Sequence, residues 1–279
     1  MNVFVTGATG FVTSTVTLQL LARGDQVRAL VRDASRGRTL ARAGVTVVAG
    51  DLSDAGALRR GMEGVDAVVH GAAMYSVGIA PSQRPAMFAA NVTGTERVLE
   101  AARAAGVRRV AYISTCAIFG NTRGQVVDET YTRSGPFTSY YEETKVRAHE
   151  IALHFAEQGL PVSIAQPGGV YGPGDTSGLG GLMRDFARGR LPLLPFAGTG
   201  LNFVHVEDVA RGIVLVLDRG KPGRSYVLGG ENARVADAFA ALARVTGRGL
   251  PRLRLPYALL QIGSLVQPGL REVVTSTKG

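Results

Sequence analysis

Short apolar runs alternate along the chain with segments whose apolar residues recur every three to four positions. The runs Asn2–Thr6, Gln26–Val31, Val45–Ala49, Asp66–His70, Val110–Ser114 and Val162–Ala165 are rich in valine and other strand formers and predict six strands. Between them the pattern predicts helices from Phe11 to Arg23 and over Ala55–Met62, Val92–Ala105 and Ser139–Gln158. Strands alternating with helices, joined by short connections, predict a parallel sheet covered on both faces with right-handed crossovers. The fold class is therefore α/β, a doubly wound parallel sheet. Beyond the sixth strand the pattern loosens. Gly168–Gly181 and Leu191–Gly200 are dense in glycine, proline and polar residues and read as loops. Strand and helix signals return at Phe203–Leu217, Tyr226–Leu228 and Val235–Val245. A small C-terminal α/β lobe is thus expected over the sheet's C-terminal edges, the crevice where open α/β sheets bind ligands. The expected division is residues 1–166 for the sheet domain, completed by part of 200–230, and 167–279 mostly for the lobe.

Composition narrows this picture. With 46% hydrophobic and 19% charged residues, the 279-residue chain can bury a substantial core, which excludes wholesale disorder. Cys116 is the single cysteine, so neither an intrachain disulfide nor a cysteine-based zinc cage is possible, and no metal is expected. No apolar run reaches 18 residues, so no membrane span is expected. A strand starting within two residues of Met1 leaves no room for a signal peptide, and a cytoplasmic protein is expected. The net charge of +9 is spread evenly along the chain, without a basic tail or helix, so nucleic acid is not the expected partner.

The first strand runs directly into Thr6-Gly7-Ala8-Thr9-Gly10-Phe11-Val12-Thr13 and then a helix. Gly7 permits a tight turn and Gly10 lets the backbone approach a pyrophosphate. Free N–H groups around Thr9, Gly10, Phe11 and Val12, with the helix dipole, favour that anion. This strand–turn–helix placement makes the motif a dinucleotide-binding turn in a Rossmann-type sheet. Thr13 replaces the usual third glycine, a packing position. At the end of the second strand Arg32 stands where an acidic residue would bind the ribose of NAD; an arginine there pairs with a 2′-phosphate. NADP is therefore the expected cofactor, with NAD possible. Arg36 and Arg38 follow as weaker candidates, and Asp51, with Leu52 after the third strand, could meet the adenine amino group.

Tyr141 and Lys145 stand four apart on a predicted helix and share one face. A phenol with a pKa near 10 is a poor acid–base group at neutral pH, and a neighbouring ammonium would lower that value. Tyr140 has Thr144 at the same spacing, so Tyr141 is the candidate. A third member is expected from the end of the fifth strand, where Ser114 and Thr115 both offer a hydroxyl to a substrate oxygen.

Glycine turn, strand-end hydroxyl and Tyr-x-x-x-Lys occur in the order of the extended short-chain dehydrogenase/reductase family, which the sequence resembles over residues 1–230. Further matching segments are Asp51-Leu52, His70-Gly71-Ala72-Ala73, Asn91-Val92-Thr93-Gly94-Thr95, Gln166 to Asp175 and Phe203 to Ala210. The resemblance places the active hydroxyl at Thr115, five residues before Gly120. It implies Tyr141 as acid–base residue and Lys145 as ribose ligand and pKa modifier. It also implies Gly71, Ala72 and Ala73 on the cofactor, Pro167, Gly169 and Val170 along the nicotinamide, and Asn91 as structural or water-ordering. Dehydratases of this family carry Asp-Glu after the hydroxyl, where this chain has Cys116-Ala117. Sugar-nucleotide members usually show Asn at Gly169 and Arg-Asp at Leu201-Asn202. Val27–Arg32, Gly198–His205 and Tyr226–Asn232 instead resemble dihydroflavonol-4-reductase-like bacterial proteins. The expected function is an NAD(P)H-dependent reductase or dehydrogenase acting on a small-molecule carbonyl or alcohol. The alternatives are a sugar or sugar-nucleotide epimerase working through a keto intermediate and, from another class, a non-catalytic dinucleotide sensor. Family resemblance further implies a homodimer packed through the helices 91–105 and 139–158.

Overall fold

The computed structural model describes residues 1–251 together with Leu253 and Arg254. The chain runs β1 (Asn2–Thr6), α1 (Phe11–Ala22), β2 (Gln26–Val31), α2 (Ala34–Arg42), β3 (Thr46–Ala49), α3 (Ala55–Met62) and β4 (Ala67–His70). It continues through α4 (Arg84–Phe88), a π-helical turn at Ala89–Thr93, α5 (Gly94–Ala104), β5 (Arg109–Ile113), α6 (Tyr140–Glu157) and β6 (Val162–Pro167). The remainder is β7 (Gly169–Tyr171), α7 (Gly178–Ala187), β8 (Leu193–Leu194), β9 (Gly200–His205), α8 (Val206–Arg219), β10 (Ser225–Leu228), β11 (Glu231–Arg234), α9 (Val235–Thr246) and β12 (Leu253–Arg254).

Seven strands form one parallel sheet in the order β10-β6-β5-β4-β1-β2-β3. Alternating side chains feed two buried layers. Val3, Val5, Ala29, Val31 and Ala111 pack under α1 and α8, while Phe4, Leu30, Val68, Tyr112 and Ile164 pack under α3, α5 and α6. Continuous valine-rich strands are what a sheet buried on both faces requires. Strand order reverses between β1 and β4, and the C-terminal ends of those strands open the crevice that this fold uses for ligands.

The two expected loops are partly regular. Gly168–Gly181 contains β7 and the start of α7, and Leu191–Gly200 contains β8 and the first residue of β9. Strand β7 is stabilised by β9, about thirty residues on, with Gly169 opposite Phe203, and β9 pairs antiparallel with β11. Such pairing is non-local, so composition alone hides it. Phe186, Leu194, Phe203, Val235 and Phe239 form a separate small core between this three-stranded sheet and α7 and α9. Residues beyond 254, part of the expected lobe, lie outside the described residues. The helix expected at Val92–Ala105 starts earlier, as α4 and the π-helical turn. Among the described residues no helix is long and apolar enough to cross a membrane.

Candidate active site

The turn after β1 is built from backbone. Gly7 has φ +78°, and a Cβ there would lie 2.7–2.9 Å from the backbone of Gly71 and Ala72. Its carbonyl accepts from the Gly10 N–H at 2.8 Å, and Gly10 opens α1 without any side-chain cap. The first N–H groups of α1 therefore keep their donors for an anion, as a pyrophosphate needs. Thr13, at the usual third glycine, is buried against Gly71: a Cβ on Gly71 would meet its Oγ1 at 2.6 Å. The close helix-to-strand approach is kept, with the missing side chain moved to the partner strand.

Past β2, Arg32 is exposed. Asp33, the next residue, is the N-cap of α2; its Oδ1 accepts from both the N–H and the hydroxyl of Ser35. Arg36 Nε lies 3.9 Å from its other oxygen, so this acid is engaged locally. Asp51 behaves alike: hydrogen bonds from Ser53 hold its carboxyl below the usual range, with the Arg32 charge the last contributor.

At the other end of the crevice α6 carries Tyr141 and Lys145. Its start is fixed by a reciprocal cap. Ser139 Oγ accepts from the Glu142 N–H, and the Glu142 carboxylate takes Thr138 N–H at 2.8 Å and Arg133 at 2.6 Å. Tyr141 sits inside this pinned first turn. Its phenol lies beside the Thr115 side chain, which opposes the rise in its pKa, while Ser114 bonds His149 Nδ1 at 3.0 Å instead. The structure thus pairs Thr115, not Ser114, with the tyrosine. Tyr75 sets its ring edge-on to Tyr141, with centroids 4.9 Å apart.

The expected depression of the Tyr141 pKa by Lys145 is not found. Burial dominates and raises the phenol, the Tyr75 phenol adds to the rise, and the Thr115 hydroxyl opposes it. Lys145 Nζ donates instead to the Ile113 carbonyl at 2.9 Å and to the Tyr112 hydroxyl at 3.2 Å. Burial lowers its own pKa to about 7. Cys116 donates its thiol to the Gln166 carbonyl, and burial pushes it up to about 12. Gly168 and Gly169, beside the residues expected along the nicotinamide, meet Asn202 so closely that a Cβ would lie 2.5 and 2.9 Å from it.

Three residues here carried no role in the sequence reading: Tyr75, Tyr112 and Thr144. Asn91 is buried, accepts from the Met74 N–H at 2.7 Å and donates to the Met74 carbonyl and to Thr144 Oγ1, both at 3.0 Å. It ties the segment after β4 to the Tyr141 helix. The period-2 pattern of β5 could have flagged Tyr112, since it shares a face with Ser114, toward α6.

Residues 3–229 match the NAD dependent epimerase/dehydratase family. This chain belongs to that family. It is an oxidoreductase of the extended short-chain type. The chain is 37% identical over 264 residues to the "Putative dihydroflavonol 4-reductase" of Synechocystis sp., covering 92% of this chain and 76% of that protein. Among solved structures it is similar to gox2253, with a TM-score of 0.87 and 36% identity, covering 99% of this chain and 87% of that one. It is also similar to DesIV, a dTDP-glucose 4,6-dehydratase from Streptomyces venezuelae with NAD and TYD bound. There the TM-score is 0.79 and the identity 28%, over 91% of this chain and 84% of that one.

Proposed function

We propose that this family member is a cytoplasmic NAD(P)H-dependent reductase that converts a small-molecule carbonyl to an alcohol, or runs the reverse oxidation. The observation that carries this reading is the placement of the Thr115 hydroxyl beside the Tyr141 phenol, close enough to oppose the rise in its pKa, with Lys145 one helical turn along. The nicotinamide supplies the hydride. Thr115 orients the substrate oxygen, and Tyr141 holds the proton that this oxygen receives. A phenol kept protonated by burial suits a proton donor. Lys145 binds the ribose and, once charged, stabilises the phenolate left behind. Gly7, Gly10 and the first turn of α1 hold the pyrophosphate, and the lobe from residue 167 onward selects the substrate. Elimination of water is not proposed, because Cys116 stays protonated and Ala117 has no titratable group.

The test is a screen of ketones and aldehydes followed by cofactor absorbance, with NADPH and NADH in parallel. Preference for NADPH is expected, since Arg32 is exposed at the strand end while Asp33 is occupied by Ser35 and Arg36. Arg32→Asp should weaken NADPH binding by about ten- to a hundredfold, the range of a charge-assisted contact, and NADH binding far less. Equal or tighter NADH binding by the wild type would defeat the arginine reading. Cofactor reduction that stays on the enzyme, with a sugar isomer as product, would favour the epimerase alternative.

The proposed homodimer packs α5 and α6 against their copies. No large apolar residue on either helix is exposed, and the outer faces carry Glu96, Arg97, Glu100, Arg147 and Glu150. Such an interface is a polar, salt-sensitive one. Light scattering at micromolar concentration should give twice the 29.3 kDa chain mass at low salt and less at high salt. The monomer mass under both conditions rejects the dimer.

A further inference from the structure

A row of polar side chains crosses the sheet beneath the proposed site. Thr6, His70 and Tyr112 occupy one rung of β1, β4 and β5, and Thr95 of α5 joins them from one side. With Lys145 they are all at most 4% exposed. The contacts are short: Thr6 Oγ1 to His70 Nδ1 at 2.7 Å and His70 Nε2 to Thr95 Oγ1 at 3.0 Å, and the Tyr112 ring stacks on His70 with centroids 5.7 Å apart. Lys145 Nζ donates to the Tyr112 hydroxyl at 3.2 Å.

The proton positions in this row follow from its two ends. Thr95 gives its hydroxyl hydrogen to the Asn91 carbonyl at 2.6 Å, so toward His70 it can only accept. His70 must then carry its hydrogen on Nε2 and accept from Thr6 on Nδ1. Thr6 is free to donate because it accepts from the Ala72 N–H. Burial lowers the His70 pKa to about 3, so the ring is neutral and this tautomer is complete. An ammonium has hydrogens to give and no lone pair, so toward Lys145 the Tyr112 hydroxyl accepts.

We propose that Tyr112 is a positioning residue for Lys145: its ring is held by stacking on the neutral His70, and its hydroxyl accepts one ammonium hydrogen and favours the charged amine. With the Ile113 carbonyl taking a second hydrogen, one of the three remains for a ligand. This rests on the reading of Lys145 as ribose ligand. The row ends at a backbone N–H rather than at solvent, so it fixes orientation and does not conduct protons. The titratable groups around Lys145 are His70 from β4, Tyr112 from β5, and Tyr141 and His149 from its own helix. None is a carboxylate, and among the described residues no carboxylate pairs with the amine. An accepting hydroxyl is therefore the local group that offsets burial.

The test uses the small number of lysines. The chain has Lys145, Lys221 and Lys278. Selective 13C-lysine labelling of the full chain gives three titrating signals, with Lys145 assigned through Lys145→Met. Tyr112→Phe keeps the ring, whose centroid lies 5.0 Å from Nζ, and removes only the acceptor. It should lower the Lys145 pKa by about one unit, a tenfold change in proton affinity, and leave the other two signals in place. In the wild type labelled with 13Cζ-tyrosine, the Tyr112 signal should shift with the same midpoint as Lys145, because the two groups share a hydrogen bond. An unmoved Lys145 titration in Tyr112→Phe overturns the proposal. So does a Tyr112 signal that stays flat through the Lys145 midpoint. If Tyr112→Phe does not fold, the wild-type Tyr112 signal alone decides, a shift supporting the proposal and none rejecting it. The titration needs neither cofactor nor substrate. Its failure is thus distinct from failure of the reductase reading, which is an absence of carbonyl turnover.

Discussion

Replacing Tyr141 with phenylalanine is expected to lower carbonyl turnover by about 10²–10⁴-fold and to leave cofactor affinity nearly unchanged. The ring stays in place against Tyr75, so packing is kept. What disappears is the hydroxyl beside Thr115, the group proposed to hand its proton to the substrate oxygen. Thr115→Ser should retain most activity and Thr115→Val should lose it, because the hydroxyl and not the methyl is proposed to orient the substrate oxygen. Tyr140→Phe keeps its ring under the Arg84 guanidinium, 4.9 Å from the centroid, and turnover close to wild type is expected. Steady-state kinetics on any substrate found by the screen checks all four. A damaging Tyr140→Phe beside a mild Tyr141→Phe would move the acid–base role by one residue.

Gly7→Ala should cost the fold and the cofactor together. The position has φ +78°, which an L-residue adopts at a penalty of about 1–2 kcal/mol. The added methyl would also lie within 3 Å of the backbone of Gly71 and Ala72, which cannot rotate away as a side chain would. Overpacking of this kind adds about 1–3 kcal/mol. A total of about 3 kcal/mol lowers Tm by roughly 6–12 °C in a domain of this size. The same displacement moves the turn that would hold a pyrophosphate, so dinucleotide binding followed by fluorescence should fall below detection. Gly24→Ala is the control. It has φ +89° with nothing within 4 Å of a Cβ, so it carries the backbone penalty without the collision. Equal melting and binding losses in the two variants would show that strain alone, and not the contact with Gly71 and Ala72, governs the turn.

The parallel sheet was legible because its determinants are local. Each strand is a short run of β-branched residues, and each connecting helix shows its own periodicity, so Asn2–Thr6, Gln26–Val31 and Ala55–Met62 have the same bounds in sequence and structure. Strand β7 was not legible, because Gly169–Tyr171 is extended only through its pairing with β9. The proposed site divides in the same way. Tyr141 and Lys145 are legible from a four-residue spacing on one helix. Choosing between Ser114 and Thr115 required family resemblance, and the structure separates them through His149, 35 residues from Ser114 in sequence. The pKa reasoning went wrong for a physical cause. Spacing along α6 brings an ammonium near a phenol, but it does not show that Ile113 and Tyr112 take its hydrogens or that burial outweighs the charge.

The π-helical turn at Ala89–Thr93 makes chain length a functional quantity. A π turn holds one residue more than the helix around it needs. Asn91 lies within it and faces Met74 and Thr144 at once. Deleting any one residue between Ala89 and Thr93 would let the segment close into regular α-helix, a gain in local backbone geometry. The flanking helices would keep their mutual register, while the residues of the turn itself, Asn91 among them, would lose the wide backbone that aims them. Asn91 would then leave either the strand-end segment or the Tyr141 helix. Substitutions at Ala89, Ala90 or Thr93 keep the count and therefore the aim of the amide. At this place in the chain a gap is more damaging than a change of letter.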